Sequence, residues 1–108
     1  MHRLIHENIK QISALCAKNR VKSLFAFGSV CSDKFDTQSD VDFLISFESM
    51  DPEDYAETYF LIAESLESIL QRPVDLVTEN SLSNPYFIQS VNQSKQMIYG
   101  SGSQKAAL

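Results

Sequence analysis

Only two cysteines, Cys16 and Cys31, occur in the 108 residues, and neither has metal-site spacing or a place in a disulfide framework. The default compartment is therefore a reducing cytoplasm. Basic runs longer than a pair are also missing: nine Lys plus Arg stand against fourteen Asp plus Glu, a net charge of -5 at pH 7. Without a basic patch to neutralise phosphates, nucleic acid is excluded as a first expectation for a partner. There is no long apolar stretch, so neither a signal peptide nor a membrane span is expected. No repeat or linker divides the chain, which implies one domain over residues 1–100 and a flexible tail over 101–108 that lacks periodicity. With 44% hydrophobic residues a modest core is within reach, but 108 residues are few for an enzyme that must enclose two substrates unaided. Something else is expected to complete its cleft, and a homo-oligomer stays open.

What is present changes period several times. Ile5, Ile9, Ile12 and Cys16, flanked by Leu4 and Leu15, recur as one helix face and predict an amphipathic helix over 3–18. Val21 to Phe27 is a short apolar run ended by Gly28 and reads as a buried strand. A polar connection follows, with a short helical turn expected after the glycine. From Asp40 to Phe47, Val41, Phe43, Ile45 and Phe47 alternate with Asp40, Asp42, Leu44 and Ser46, the period of a strand. Asp51-Pro52-Glu53-Asp54 is a helix start with a capping side chain, and the helical period runs through Tyr55, Tyr59, Ile62, Leu66 and Ile69 until Pro73. Val74 to Val77 reads as a third strand, Asn84-Pro85 as the start of a last helix, and Met97 to Tyr99 as a short apolar piece. The order α, β, β, α, β, α predicts an α/β (α+β) fold: a small mixed sheet with flanking helices.

The chemistry is concentrated in two places that the pattern brings close. Gly28-Ser29 ends the first strand, where a tight turn can present N–H groups to a phosphate. Ten residues after the serine, Asp40 and Asp42 fall on one face of the next strand, about 7 Å apart, where two carboxylates can share a divalent cation. Asp75 adds a third acid in a later strand.

These features resemble the minimal nucleotidyltransferases of the DNA polymerase β superfamily: Gly28-Ser29, ten residues, Asp40-x-Asp42, then Asp75, over roughly residues 3–99. The resemblance implies transfer of a nucleoside monophosphate from a triphosphate, most often ATP, to an acceptor hydroxyl. It also implies Mg²⁺, two ions held by Asp40, Asp42 and Asp75, with Asp75 as general base and Gly28 and Ser29 on the triphosphate. Stand-alone domains of this type include antitoxins paired with HEPN ribonucleases, some similar to enzymes that transfer AMP to a tyrosine of the toxin. Such a partner would supply both acceptor and missing cleft wall. One departure is plain. Family members commonly carry a basic residue three positions after the serine, in an Arg-Gly pair, where this chain has Ser32-Asp33. That removes a positive contact and adds a carboxylate, which weakens nucleotide binding unless Lys34 compensates.

Plainer roles compete with each assignment. Asp40 and Asp42 can cap a strand, Asp75 can pair with Arg72, Ser29 can merely end a turn, and Gly28 can serve backbone geometry alone. His2 and His6 have a metal-compatible spacing but no third ligand. Tyr55 and Tyr59 read as core or interface, Cys31 lacks a neighbouring base, and Asp51 to Glu57 reads as a solvated helix start. Two other functions are a module that neutralises a toxin by contact alone and a small-molecule nucleotidyltransferase. The latter usually needs a further domain for its acceptor.

Overall fold

Asn8 divides the first expected helix. Its side-chain amide donates to the Leu4 carbonyl at 2.9 Å and its own N–H goes to Ile5, so the backbone leaves helical register for one residue. The result is α1 (Arg3–Glu7) and α2 (Ile9–Lys18). A computed structural model of the chain describes residues 3–31 and 39–100. The expectations for His2, for Ser32, Asp33 and Lys34, and for the tail lie outside the described residues.

β1 (Val21–Phe27) runs into a 3₁₀ turn at Gly28–Cys31, β2 covers Val41–Phe47, and α3 covers Pro52–Leu70. Asp51 starts α3 through its carbonyl, which accepts from Tyr55 N–H at 2.8 Å. Its side chain makes no capping bond, contrary to expectation; Pro52 and the acids Glu53 and Asp54 suffice to begin the helix. Gln71 ends it in the left-handed region at φ 56°. β3 (Val74–Thr78), α4 (Pro85–Ser94) and β4 (Gln96–Gly100) complete the order. Asn84 caps α4 by accepting from the N–H groups of Tyr86 and Phe87. The apolar piece Met97 to Tyr99 is thus a fourth strand.

The sheet order is β3-β2-β1-β4, with β1 antiparallel to β2 and β4 and β2 parallel to β3. α3 forms the crossover between the two parallel strands. One sheet face carries Leu24, Ala26, Val41, Phe43, Ile45 and Leu76 against Ile5, Ile12, Cys16, Ile62 and Leu66 from α1, α2 and α3. Burying each large side chain contributes about 1.5–3 kcal/mol. Burial also pushes the Cys16 thiol up to about 12, so it is an inert core sulfur. The opposite face carries Phe25, Phe27, Leu44 and Val77 and is covered by α4 through Val91. Among the described residues no helix is long and apolar enough to cross a membrane.

Candidate active site

The two parallel strands are tied together where the acids lie. Val41 N–H donates to the Pro73 carbonyl at 3.1 Å, and the Arg72 guanidinium donates to the Ser39 carbonyl at 2.9 Å. These bonds fix the register that sets Asp42 beside Asp75. Neighbouring strands lie about 4.8 Å apart, so two carboxylates on one face at equal register are close neighbours. Asp40 lies one residue before β2 and is exposed, as is Asp75, whereas Asp42 is half-buried. Arg72, a competing partner for Asp75 in the sequence, also reaches the Ser39 carbonyl ahead of β2.

On its other side Asp42 faces the end of β1, where its register partner is Phe27. Gly28 follows at φ +76°, a conformation L side chains rarely adopt, and a Cβ there would stand 2.7 Å from Asp42 Oδ2. The backbone conformation therefore calls for glycine, and any side chain there would also have to displace the Asp42 carboxylate. The turn and the acid are in contact, with Ser29 half-buried as the next residue of the 3₁₀ turn. Gly28 N–H is already engaged: it donates to Ser94 Oγ at the end of α4, at 3.0 Å.

Electrostatics mark Asp42 as the strained member. Burial first, then the charges of Asp75 and Asp40, push its carboxyl up to about 6. A site that raises the cost of its own negative charge is one that a cation would relieve. Among the described residues no three carboxylates or other such groups are gathered tightly enough to hold an ion alone. What the strands do bring together is the carboxylate pair Asp42 and Asp75, oxygen donors of the kind Mg²⁺ takes when waters and substrate phosphates complete its sphere.

The remaining candidates fall elsewhere. His6 is exposed on α1, and Cys31 donates its thiol to the Ala26 carbonyl. Tyr59 donates to the Leu76 carbonyl and, with Tyr55, Ala56, Phe60, Leu76, Thr78 and Ser81, lines an open groove of about 350 Å³. This groove lies on the α3 side of β3, across the sheet from Asp42 and Asp75. Sequence reasoning missed Ser94 and the bond from Arg72 to Ser39. Both join positions far apart in the chain, and no local pattern reports them.

A family model described as a nucleotidyltransferase domain matches residues 9–98. A Methanocaldococcus jannaschii protein provisionally named a protein adenylyltransferase is 36% identical over 82 residues, 76% of this chain and 79% of its own length. A second from the same organism, named likewise, is 32% identical over 90 residues, 83% of this chain and 87% of its own. Among solved structures, a toxin–antitoxin complex with AMP-PNP aligns with a TM-score of 0.69 at 24% identity, over 92% of this chain and 78% of that one. A tri-AMPylated Shewanella oneidensis HEPN toxin in complex with its MNT antitoxin gives 0.64 at 22% identity, over 94% and 76%. A structure described as a minimal nucleotidyltransferase gives 0.65 at 26% identity, over 89% and 95%.

Proposed function

Because the chain belongs to the nucleotidyltransferase domain family, we propose that it moves AMP from ATP to a hydroxyl of a partner protein. The partner we propose is a HEPN-type toxin, with this chain as its antitoxin. The observation that carries the chemistry is the position of Asp42, in contact with the Gly28 turn on one side and level with Asp75 on the other. The names of the curated relatives support protein adenylylation, and the neighbouring toxin–antitoxin complexes support the partner.

In this reading Ser29 receives the triphosphate, Gly28 lets the backbone approach it closely, and Asp40, Asp42 and Asp75 would hold Mg²⁺ together with oxygens of the substrate. When bound, Mg²⁺ offsets phosphate charge and makes the acceptor hydroxyl more acidic. Asp75, exposed on the edge strand, takes the proton from that hydroxyl. The hydroxyl oxygen then bonds to the α-phosphorus as the bond to the bridging oxygen breaks, and pyrophosphate leaves. Asp75 stands where a partner can reach it, which suits an acceptor carried by another protein.

The test is incubation with ATP labelled at the α-phosphate, Mg²⁺ and a HEPN-type toxin, the class of partner proposed. Label on a partner hydroxyl, with pyrophosphate released and both lost in Asp42→Asn, is the expected result. Unlabelled partner with the native protein would refute it. A contact-only antitoxin is the second reading, favoured by the groove beside β3, where Phe60 is 63% exposed. It predicts that Asp42→Asn still neutralises the toxin, and that Phe60→Glu does not.

A further inference from the structure

We propose that Ser94 is a positioning residue for the nucleotide, acting through Gly28; the proposal rests on the nucleotidyl-transfer reading above. Gly28 is the point at which β1 stops and the chain turns at φ +76°. The last pairing of β1 with β4 is at Ala26, so the sheet ladder on that side does not reach Gly28. Its N–H is taken by Ser94 Oγ at 3.0 Å, while the Ser94 hydroxyl is 3.3 Å from the Ser90 carbonyl to which it donates. The short bond of the two is thus the one to the turn. Gly28 also lies against Asp42, where even a methyl group would meet Oδ2 at 2.7 Å. Two contacts clamp Gly28: a hydroxyl from α4 and the carboxylate proposed to hold the metal.

α4 can serve as the fixed side of this clamp. Asn84 caps its first turn, Val91 is 1% exposed in contact with Phe27 and Leu44, and Phe87 meets Phe27 edge-to-face at 5.9 Å. A helix capped at its start and packed against the sheet through Val91 and Phe87 delivers Ser94 to one place. The consequence for the site is specific. Gly28 N–H is committed to Ser94 and does not serve as a phosphate donor; its bond instead fixes the Phe27–Gly28 peptide plane, from which the turn into Ser29 starts. Removing the hydroxyl leaves that N–H to find water or to rotate, and the turn loses its alignment with Asp42.

The experiment is titration of ATP with Mg²⁺ into native protein, Ser94→Ala, Ser94→Thr and Asp42→Asn, with thermal melts of each. Ser94→Ala is expected to bind about tenfold more weakly, a change of about 1.4 kcal/mol, while it melts close to the native protein. Ser94→Thr, which keeps the hydroxyl, is expected to restore binding to within about threefold. A merely structural serine would move the melt and leave binding alone. Native-like affinity in Ser94→Ala, or failure of threonine to rescue, overturns the proposal while leaving the site reading intact. Absence of binding by native protein overturns both, and Asp42→Asn shows whether the binding measured depends on the acids.

Discussion

The two faces of β2 are one residue apart in sequence and opposite in purpose. Val41, Phe43 and Ile45 are each 0% exposed, packed against α1, α2 and α3. Asp42, Leu44 and Ser46 point the other way, where α4 covers Leu44 but leaves Asp42 half open at the strand's beginning. The first face is assembled from many side chains that fill volume, and each of them is tolerant of little but its own shape. The second holds charge beside charge and lets water reach it. Stability and the proposed chemistry are thus separated by alternation along a single strand, with the carboxylates placed where the helix cover ends.

The largest effect that tests this separation is Phe43→Ala. Truncating a fully buried phenylalanine costs about 3–5 kcal/mol, against a total of about 5–15 kcal/mol for a domain. Urea unfolding should show a large share of the stability gone, and a loss below about 1 kcal/mol would mean the helix-side face is not the anchor. Next comes Asp42→Asn on the opposite face. It should lower the rate of nucleotidyl transfer by about 10²-fold or more, the scale of losing a group that acts on developing charge, while the protein stays folded. Transfer at near-native rate would remove Asp42 from the mechanism.

Gly28→Ala probes the seam between the two faces. Positive φ alone costs a non-glycine residue about 1 kcal/mol, and the new methyl must also push Asp42 Oδ2 aside from 2.7 Å. A loss of about 1–2 kcal/mol in stability is expected, together with a larger relative loss in ATP affinity. The pair of measurements matters: equal losses would make Gly28 a purely structural glycine.

The difference between the faces also explains what was readable in advance. Alternation at Asp40 to Phe47 is a local signal, and the resulting strand, its buried odd residues and the orientation of Asp42 follow from it. The glycine before Ser29 is likewise local, since a turn must stop an apolar run. Three features were not readable for physical reasons. The break at Asn8 depends on a side chain competing with the helix backbone, which apolar periodicity does not record. The strand at Gln96–Gly100 is only five residues long and is a strand because β1 offers it an edge. The clamp from Ser94 to Gly28 spans 66 positions and depends on where α4 ends, a tertiary fact.

The smallest expected effect concerns pH, and it separates the faces by sign. Asp42 is pushed from 3.8 up to about 6, by burial before the charges of Asp75 and Asp40, so the folded state holds its proton more tightly than the unfolded chain does. Below the unfolded value both states are protonated and Asp42 costs nothing. As pH rises from 3.8 to about 6 the unfolded chain gives up its proton first, and stability falls; above about 6 the full penalty remains. A shift of this size would be about 3 kcal/mol for a fully buried group, and screening at this half-open carboxyl reduces it to about 1 kcal/mol. Asp42→Asn should therefore melt about 4–8 °C above the native protein at pH 7.5 and together with it near pH 4. Mg²⁺ should raise the native melting point at pH 7.5, do less at pH 5, and leave the asparagine variant unchanged. A gap between native and variant that is constant across this range would show that the acids do not load strain onto the open face, and the division of labour between the two sides of β2 would need another cause.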